Sequence, residues 1–227
     1  MDDYKTAIKV NDFSSKGTAT RMYSKKTGRI HHLLTVLEKN LFVLLDFDEN
    51  IIGIKEHYEL EDVRDVVDEA DINWSYYKDY KISTSFLIIM KDGRKKAISC
   101  KNSSELYKRN VQLFLEIQRR YYANNGIDWC IITNKDLPKE RLKNIKWLNI
   151  GESTNCNKDI GVVLKNTLNN YNGTLKQYLN YIANNYEYSI EEVLTSFKEM
   201  IITRKIEVNL DAEITLNTSL IKFRVKE

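Results

Sequence analysis

A glutamate interrupts an apolar helical pattern near the start of the chain. Residues 30–46, IHHLLTVLEKNLFVLLD, place leucines at helical spacing and predict one amphipathic helix. Glu38 follows Leu34 by four positions and precedes Leu41 by three, so it belongs to the apolar face of that helix. A carboxylate there loses its hydration unless it is paired or bound to a cation. Glu38 is therefore a candidate metal ligand, and the alternative is a rim residue whose head group reaches water.

A lysine ends a strand pattern that follows a predicted hairpin. FLIIM at 86–90 and KKAISCK at 95–101 flank Asp92-Gly93, a dipeptide typical of two-residue hairpin turns. Lys101 ends the second strand, and from that position its side chain can point into a cleft. A helix-borne glutamate, a hairpin and a strand-ending lysine follow one another in the PD-(D/E)xK nuclease core. There, carboxylates hold Mg²⁺ ions that activate water, and the lysine neutralises developing charge.

Other patterns supply the elements around these two residues. Residues 51–60 predict a strand, the acidic EDVRDVVDEADIN a helix, and WCIIT at 129–133 a short buried strand. Ser103 or Ser104 can cap a long helix over about 104–124, and Gly126 ends it. Pro138 opens a short helix, and IKWLNI at 145–150 predicts a last strand. Together these elements predict an α/β domain with a mixed sheet that closes near residue 150.

The chain beyond residue 150 has a different pattern. The polar run GESTNCNKD is typical of a linker, and three helical segments follow at about 158–168, 174–186 and 189–202. KIEVNL and SLIKFRV then predict two short strands at the carboxyl end. Three helices followed by two strands is the winged-helix order, and the alternative is a helical tail packed on the first domain. We therefore expect a nuclease domain over 1–150 and a winged-helix domain over 151–227.

Four runs of sequence carry a resemblance to a known family. GRIHHLLTVLEKNLFVLLDF, STSFLII, AISCK and EIQRRYYANNGIDWCIITNKDLP, in this order, resemble the TnsA-type endonuclease subunit of heteromeric (TnsA/TnsB-type) transposases. The resemblance covers about residues 28–150. It implies a restriction-endonuclease-like domain that uses Mg²⁺ to cleave the 5′ strands at transposon ends. The implied partners are transposon-end DNA, a DDE-type transposase subunit (TnsB-like) and an AAA+ ATPase regulator (TnsC-like).

The resemblance gives catalytic roles to four residues, and two of them depart from the family pattern. Glu38 matches the helix glutamate and Lys101 the lysine of the family's active site. Ser85 stands where the family has an aspartate, and Gln118 where it has a glutamate. Ser99, two residues before Lys101, could offer only its carbonyl or its hydroxyl oxygen to a metal bound by Glu38. Because Mg²⁺ prefers anionic oxygens, we expect weak metal binding and weakened or silent cleavage.

Basic residues outnumber acidic ones in residues 1–30, although the net charge of the chain is only +3. Such an arm can contact a phosphate backbone or can be a solvated surface, and the acidic run 56–71 is expected to be solvated. The candidate DNA-binding residues are His31 and His32 at the start of the first helix, Lys25, Lys26 and Arg29 of the arm, and Arg119 and Arg120 of the long helix.

Composition disfavours several other classes of protein. The three cysteines lie far apart without a C-x-x-C pair, so we expect neither a disulfide framework nor a structural zinc site. No apolar run approaches the roughly 18 residues that span a bilayer, and the first residues lack a signal-peptide pattern, so we expect a cytoplasmic protein. Two alternative functions stay open. One is a catalytically silent DNA-binding or assembly subunit or regulator, and the other is a stand-alone nuclease.

Overall fold

The structure, a computed structural model, describes residues 4–12, 18–67, 72, 74, 81–148 and 157–226. The chain divides into two compact units, Met1–Leu137 and Pro138–Glu227. The domain boundary predicted at residue 150 lies outside the described residues. Among the helices that the structure describes, none combines the length and the apolar character needed to cross a membrane.

A four-stranded mixed sheet forms the centre of the first unit. Its strands are β3 (Ile51–Glu59), β4 (Ser83–Met90), β5 (Lys95–Cys100) and β6 (Asp128–Ile132), in this spatial order. The pairs β3–β4 and β4–β5 are antiparallel, whereas β6 runs parallel to β5. Gly93 has a φ of 84° in the turn between β4 and β5, as the predicted hairpin requires. This mixed α/β architecture fits the restriction-endonuclease-like domain that the resemblance implies.

Two helices cover the two faces of this sheet. Helix α1 (Val36–Phe47) packs its leucines against Phe86 of β4 in one apolar cluster. Helix α3 (Arg109–Asn124) packs against Leu87, the next residue of the same strand, in a second cluster. Successive side chains of a strand point to opposite faces, so one strand supplies both clusters. Apolar clusters therefore cover both faces of the sheet.

Helix α1 is shorter than predicted because a hairpin occupies its first predicted turn. Strands β1 (Thr20–Ser24) and β2 (Arg29–Leu33) pair antiparallel, so the prediction of helix over residues 30–35 is wrong. Thr35 caps the helix: its side chain accepts a hydrogen bond from the backbone N–H of Glu38, and the Glu38 carboxylate accepts one from the N–H of Thr35. This capping box ends the strand and starts the helix within a few residues.

Other elements of the first unit also differ from prediction. Helix α3 begins at Arg109 and not near 104, because Ser103–Glu105 forms a separate 3₁₀ turn. Strand β6 is half-buried and not buried, because it lies at the sheet edge and has a neighbour on one side only. The acidic segment is helical over α2 (Val63–Val66), while its residues 68–71 and 73 lie outside the described part. The predicted end of the long helix is confirmed, with Gly126 at a φ of 64°.

The second unit begins with helix α4 (Lys139–Leu148), so the strand predicted over 145–150 is wrong for 145–148. Residues 149 and 150 lie outside the described part. Leu142, Ile145 and Leu148 are all buried and three positions apart, which is helical spacing that a short apolar run does not distinguish from a strand.

The remaining elements follow the predicted order. Helices α5 (Lys158–Thr167), α6 (Leu175–Asn185) and α7 (Ile190–Ile202) confirm the three predicted helical segments. Strand β7 (Ile206–Glu207) then pairs antiparallel with β8 (Arg224–Val225). The second predicted strand is wrong over 220–222, because Leu220–Lys222 forms a 3₁₀ turn. The assignment of this unit to the winged-helix fold stays a prediction.

Candidate functional site

A pocket of about 560 Å³ lies in the first unit, where β5 ends and α3 begins. Its lining includes Glu38 from α1, His57 from β3, Ser85 from β4 and Lys101 directly after β5. Three of the four residues with catalytic roles by resemblance therefore meet in one pocket. The fourth, Gln118, does not line it.

Glu38 is held in the pocket wall by the backbone at the start of α1. Its Oε2 atom accepts hydrogen bonds from the backbone N–H groups of Leu34, at 2.8 Å, and Thr35, at 3.2 Å. A carboxylate is also favoured at the N-terminus of a helix, where the helix dipole is positive. These contacts stabilise a carboxylate that is only 6% exposed, so its burial does not by itself require a bound cation.

Ser85 reaches the pocket because β4 is irregular at this position. Thr84 accepts a hydrogen bond from the hydroxyl of Tyr122 on α3, at 2.8 Å, whereas Phe86 packs in the cluster with α1. Side chains two residues apart normally share a face of a strand, so the strand turns over around Ser85. The register between β3 and β4 likewise omits position 85 and the residue opposite it, His57.

The hydroxyl of Ser85 already has a structural partner. Its Oγ atom accepts a hydrogen bond from the backbone N–H of Cys100 at 3.0 Å, beside the end of β5. Burial, with a smaller contribution from the charge of Glu38, raises the pKa of the Cys100 thiol to about 12. The thiol is therefore neutral at physiological pH, and the thiolate is the form that binds metals.

Ser99 and Gln118 belong to a closed hydrogen-bond network on the α3 side of the sheet. The indole N–H of Trp129 donates to the Ser99 hydroxyl at 2.8 Å, and that hydroxyl donates to Gln118 Oε1 at 2.5 Å. Gln118 Nε2 in turn donates to the carbonyl oxygen of Ser83 at 2.8 Å. Neither Ser99 nor Gln118 lines the pocket, because Ser99 points to the opposite face of β5 from Cys100. The Ser99 hydroxyl, predicted as a metal ligand, is therefore not available to an ion there.

Lys101 lies on the α3 side of the pocket. Its ammonium nitrogen is 5.4 Å from the ring centroid of Phe114, a cation–π contact. Among the described residues Lys101 has no carboxylate partner within salt-bridge distance. A second lysine of the lining, Lys81, is paired with Glu59 at 2.9 Å. Lys101 therefore brings a positive charge to the pocket that no described side chain neutralises by direct contact.

The four residues with catalytic roles by resemblance supply few of the ligands that Mg²⁺ prefers. Mg²⁺ requires hard oxygen ligands in near-octahedral geometry and releases its water reluctantly. Glu38 is the one carboxylate among the four residues with catalytic roles, and the Ser85 hydroxyl is already bonded. In the part of the chain that the structure describes, no group of three or more His, Cys, Asp or Glu side chains is placed to hold a metal.

The histidines predicted at the start of the first helix lie instead on strand β2, so that placement is wrong. His31 is completely buried, with Nδ1 at 2.8 Å from Glu56 Oε2 and Nε2 at 2.7 Å from the Thr27 hydroxyl. His32 is half-buried, its Nδ1 accepts a hydrogen bond from the N–H of Val10 at 3.1 Å, and burial lowers its pKa. Both ring nitrogens of His31 are therefore unavailable to a phosphate.

Two of the three basic residues singled out in the arm have structural partners. Lys26 donates to two backbone carbonyl oxygens at the C-terminal end of α1, at 3.0 and 2.5 Å. The Arg29 guanidinium forms a bidentate salt bridge with Glu56, with Nη1 at 3.0 Å from Oε1 and Nη2 at 2.5 Å from Oε2. Lys25 is exposed and stays a candidate phosphate contact. Charge and spacing alone do not indicate that two cations of this arm stabilise the hairpin against α1 and β3.

Glu56 is a structural residue that sequence reasoning missed. It belongs to the acidic run predicted to be solvated, yet it is completely buried, so the prediction is wrong for this residue. Burial by itself raises the pKa of Glu56, but the hydrogen bonds from His31 and Arg29 outweigh burial and lower the pKa to about 2. The carboxylate thereby joins the β1–β2 hairpin to the sheet.

Arg119 and Arg120 share one carboxylate on helix α3. Glu116 lies 2.7 Å from Arg119 and 2.9 Å from Arg120. The hydrogen bond from Arg119, together with the one from Arg120, lowers the pKa of Glu116 to about 2. Arg119 is largely exposed and Arg120 less so, and contact of either with DNA stays a prediction.

A mixed sheet between two helices, with a helix glutamate and a strand-ending lysine in one pocket, has the architecture of a nuclease-like α/β domain. Residues 48–134 match the family described as TnsA-like endonuclease N terminal, a range that begins after Glu38. The transposon Tn7 transposition protein TnsA of Escherichia coli is 34% identical over 152 residues. That match covers 64% of this chain and 56% of the relative, so the chain spans little more than half of the curated protein it matches. The resemblance to TnsA-type endonuclease subunits is confirmed, and residues 48–134, which match the family, lie in the first unit.

Proposed function

We propose that this chain is a TnsA-like transposition subunit in which Mg²⁺-dependent cleavage of the 5′ strands at transposon ends is weakened or lost. The observation that carries the proposal is the ligand set of the pocket. Glu38 is the one carboxylate at a position with a catalytic role by resemblance, and Ser85, at the aspartate position, has a hydroxyl that already accepts the N–H of Cys100. The other carboxylate of the lining, Glu105, accepts the N–H of Asn102 and lies 3.8 Å from Lys108. Metal-assisted cleavage needs anionic oxygens to hold its ions, and this set has too few. The domain then acts mainly in assembly and in positioning DNA.

In this proposal the partners are transposon-end DNA, a TnsB-like DDE-type transposase subunit and a TnsC-like AAA+ ATPase regulator. The residues after 150 act as a winged-helix module on DNA. The name of the relative, a transposition protein, supports this assignment. Without 5′ cleavage the element stays joined to donor DNA, so the products are cointegrates. Long-read sequencing of transposition products tests this, and clean cut-and-paste junctions would contradict it.

The substitution Ser85→Asp tests whether the missing carboxylate limits cleavage. An aspartate can accept the N–H of Cys100 with one oxygen and offer the other to a cation, so the fold should tolerate it. We expect Mg²⁺-dependent nicking of transposon-end DNA to rise at least about tenfold, which is about 1.4 kcal/mol of transition-state stabilisation. The gain should vanish when Glu38→Gln is added.

Ser83→Asp is the matched control, because it adds the same charge to another serine of β4 that lines the pocket. It should leave nicking unchanged if position 85 has a specific role. Adding Gln118→Glu to Ser85→Asp should bring no further gain, since position 118 lies outside the pocket lining. Equal gains from the aspartates at 83 and 85 would show that charge alone, and not a restored ligand, is responsible.

A further inference from the structure

Tyr107 is the most exposed large apolar side chain among the residues that the structure describes. It is 86% exposed and lies in the turn between the 3₁₀ segment Ser103–Glu105 and helix α3. Tyrosine rings contribute much of their binding energy by burying a large apolar surface, which water solvates poorly. A ligand that covers this ring therefore gains free energy that the chain leaves unused.

The turn that carries Tyr107 is fixed by hydrogen bonds on both sides of that residue. Directly before it, the carbonyl oxygen of Leu106 accepts a hydrogen bond from Gln112 Nε2 at 2.9 Å. Directly after it, the N–H of Lys108 donates to the carbonyl oxygen of Glu105 at 3.0 Å. An aromatic ring on a fixed backbone has few torsions to order, so it loses little conformational entropy on binding.

The turn belongs to the rim of the pocket. Residues on both sides of Tyr107 line the pocket, Glu105 before it and Asn110 after it. Two trans peptide units separate the Cα atoms of Tyr107 and Glu105 by at most about 8 Å. Tyr107 is not part of the lining, and its exposure shows that the ring extends into solvent. A long ligand that occupies the pocket and crosses this rim therefore meets the ring.

Cations surround the ring along the chain. Segment 101–109, KNSSELYKR, holds three basic residues and one acidic residue. Lys108 is 60% exposed and only 3.8 Å from Glu105, whereas Arg109 is exposed in the first turn of α3, which contains no acidic residue. Exposed aromatic rings among cations are typical of sites for single-stranded nucleic acid, where rings stack on bases and cations contact the phosphates.

We propose that Tyr107 stacks on an unpaired DNA base at the rim of the pocket, while Lys108 and Arg109 contact the adjacent phosphates. A base inside a duplex has both faces covered by its neighbours, so the ring can stack only on a base that is unpaired or at an end. The chain therefore binds a DNA end with unpaired nucleotides more tightly than a blunt end. This inference rests on the proposed function in taking DNA as the ligand, and it requires neither Mg²⁺ nor cleavage.

Fluorescence anisotropy with two DNA probes tests the inference, in EDTA so that no cleavage occurs. The probes are a blunt duplex and the same duplex with a short single-stranded extension. We expect the full chain to bind the extended duplex at least about fivefold more tightly, the lower end of the effect of one stacked base. Tyr107→Ala should remove this preference and leave the affinity for the blunt duplex unchanged, whereas Tyr107→Phe should keep the preference because it keeps the ring.

The fluorescent base 2-aminopurine, placed in the extension, reports stacking itself, because its emission falls when it stacks. Its emission should decrease when the unaltered chain or Tyr107→Phe binds, but not when Tyr107→Ala binds. Tyr23→Ala is the matched control, because Tyr23 is a 53% exposed tyrosine on β1 that does not line the pocket. It should leave both the preference and the decrease in emission unchanged.

Equal affinity of the unaltered chain for the two probes, or a preference that survives Tyr107→Ala, overturns the inference. A ring that serves a protein partner instead of DNA gives the second of these results. Because Tyr107 is exposed, its substitution should leave the Tm unchanged, so a lost preference does not reflect unfolding. Failure of the proposed function appears in a different observable, robust Mg²⁺-dependent cleavage by the unaltered chain, so the two claims can fail independently.

Discussion

Replacing Gln118 by glutamate places a carboxylate in a hydrogen-bond network that is built for an amide. Gln118 Nε2 donates to the carbonyl oxygen of Ser83 at 2.8 Å, and Oε1 accepts from the hydroxyl of Ser99 at 2.5 Å. An ionised carboxylate keeps the second bond but has no proton for the first. The carbonyl of Ser83 then loses its donor and faces a negative charge.

The expected penalty follows from these contacts and from burial. Leaving a buried acceptor without its donor costs about 1 to 3 kcal/mol. The residue is 1% exposed, so the charge also loses hydration and the pKa of the new carboxyl rises. A rise of about two pKa units alone corresponds to about 2.7 kcal/mol. Because the two effects overlap, we expect Gln118→Glu to lower the unfolding free energy by about 3 kcal/mol near neutral pH.

The sign of the pH dependence is also fixed. The folded-state pKa of the new carboxyl lies above its unfolded value of about 4.3, so the penalty is absent below that pH and grows as pH rises through the folded pKa. Once protonated, the carboxyl can again donate to Ser83. Urea unfolding at about pH 4.5 and about pH 7 measures both limits. The substitution should be tolerated better at the lower pH, relative to the unaltered chain.

Gln112→Glu is the matched control for this prediction. Gln112 is on the same helix, and its Nε2 also donates to a backbone carbonyl, that of Leu106 at 2.9 Å, but the residue is exposed. Its replacement should change the unfolding free energy by less than about 0.5 kcal/mol. A cost for Gln118→Glu as small as that of the control, or one that does not decrease toward acid pH, would refute the assignment of Gln118 to a closed neutral network.

Three other tests address contacts in both units. The pKa of Glu56 is about 2 in the folded chain, below its unfolded value of about 4.3. The ionised Glu56 carboxylate therefore stabilises the folded state by on the order of 3 kcal/mol, and this contribution is lost as pH falls from about 4.3 to about 2. Unfolding measured across this range should show that slope, and Glu56→Gln should flatten it. Thr35→Ala removes the cap of α1 and should lower the unfolding free energy by about 1 kcal/mol. The control Val36→Ala, at the exposed next position, should change the unfolding free energy little. Equal effects of the two substitutions would contradict the capping role of Thr35. Asn144→Ala removes two hydrogen bonds to backbone carbonyls, 2.8 Å each, and should lower the unfolding free energy by about 2 kcal/mol. Thermal unfolding measures the effect, and an unchanged Tm would contradict this contribution.

The sheet and most helices were predictable because their signals are local. The Asp92-Gly93 turn fixed the β4–β5 hairpin, and alternation with apolar runs identified β3 and β6. The start of α1 was missed although the sequence carries a signal for it. Thr35 and Glu38 form the S/T-x-x-E pattern of a capping box, but the leucines on both sides of it continue the helical spacing. Periodicity alone therefore extended the helix into β2.

The candidate site was predictable in part. The resemblance selected Glu38, Ser85 and Lys101, and the structure brings these three to one pocket. No local pattern indicated His57, because its place in the pocket depends on a left-handed backbone and on the distorted pairing of β3 with β4. Nor could spacing show that Gln118 faces a separate network, since this depends on which side of the sheet α3 covers. Such features arise from tertiary contacts between distant segments.

Cleavage of transposon-end DNA in millimolar Mg²⁺, measured for the unaltered chain and for Glu38→Gln, shows directly whether the pocket holds a working Mg²⁺ ion. Of the pocket residues with catalytic roles by resemblance, Glu38 is the one carboxylate, and a Mg²⁺ site needs several anionic oxygens. We expect 5′-strand nicking by the unaltered chain to be no faster than nicking by the Glu38→Gln variant. Robust nicking that disappears on Glu38→Gln would contradict it, because the pocket would then hold a working Mg²⁺ ion with Ser85 in the place of the family's aspartate.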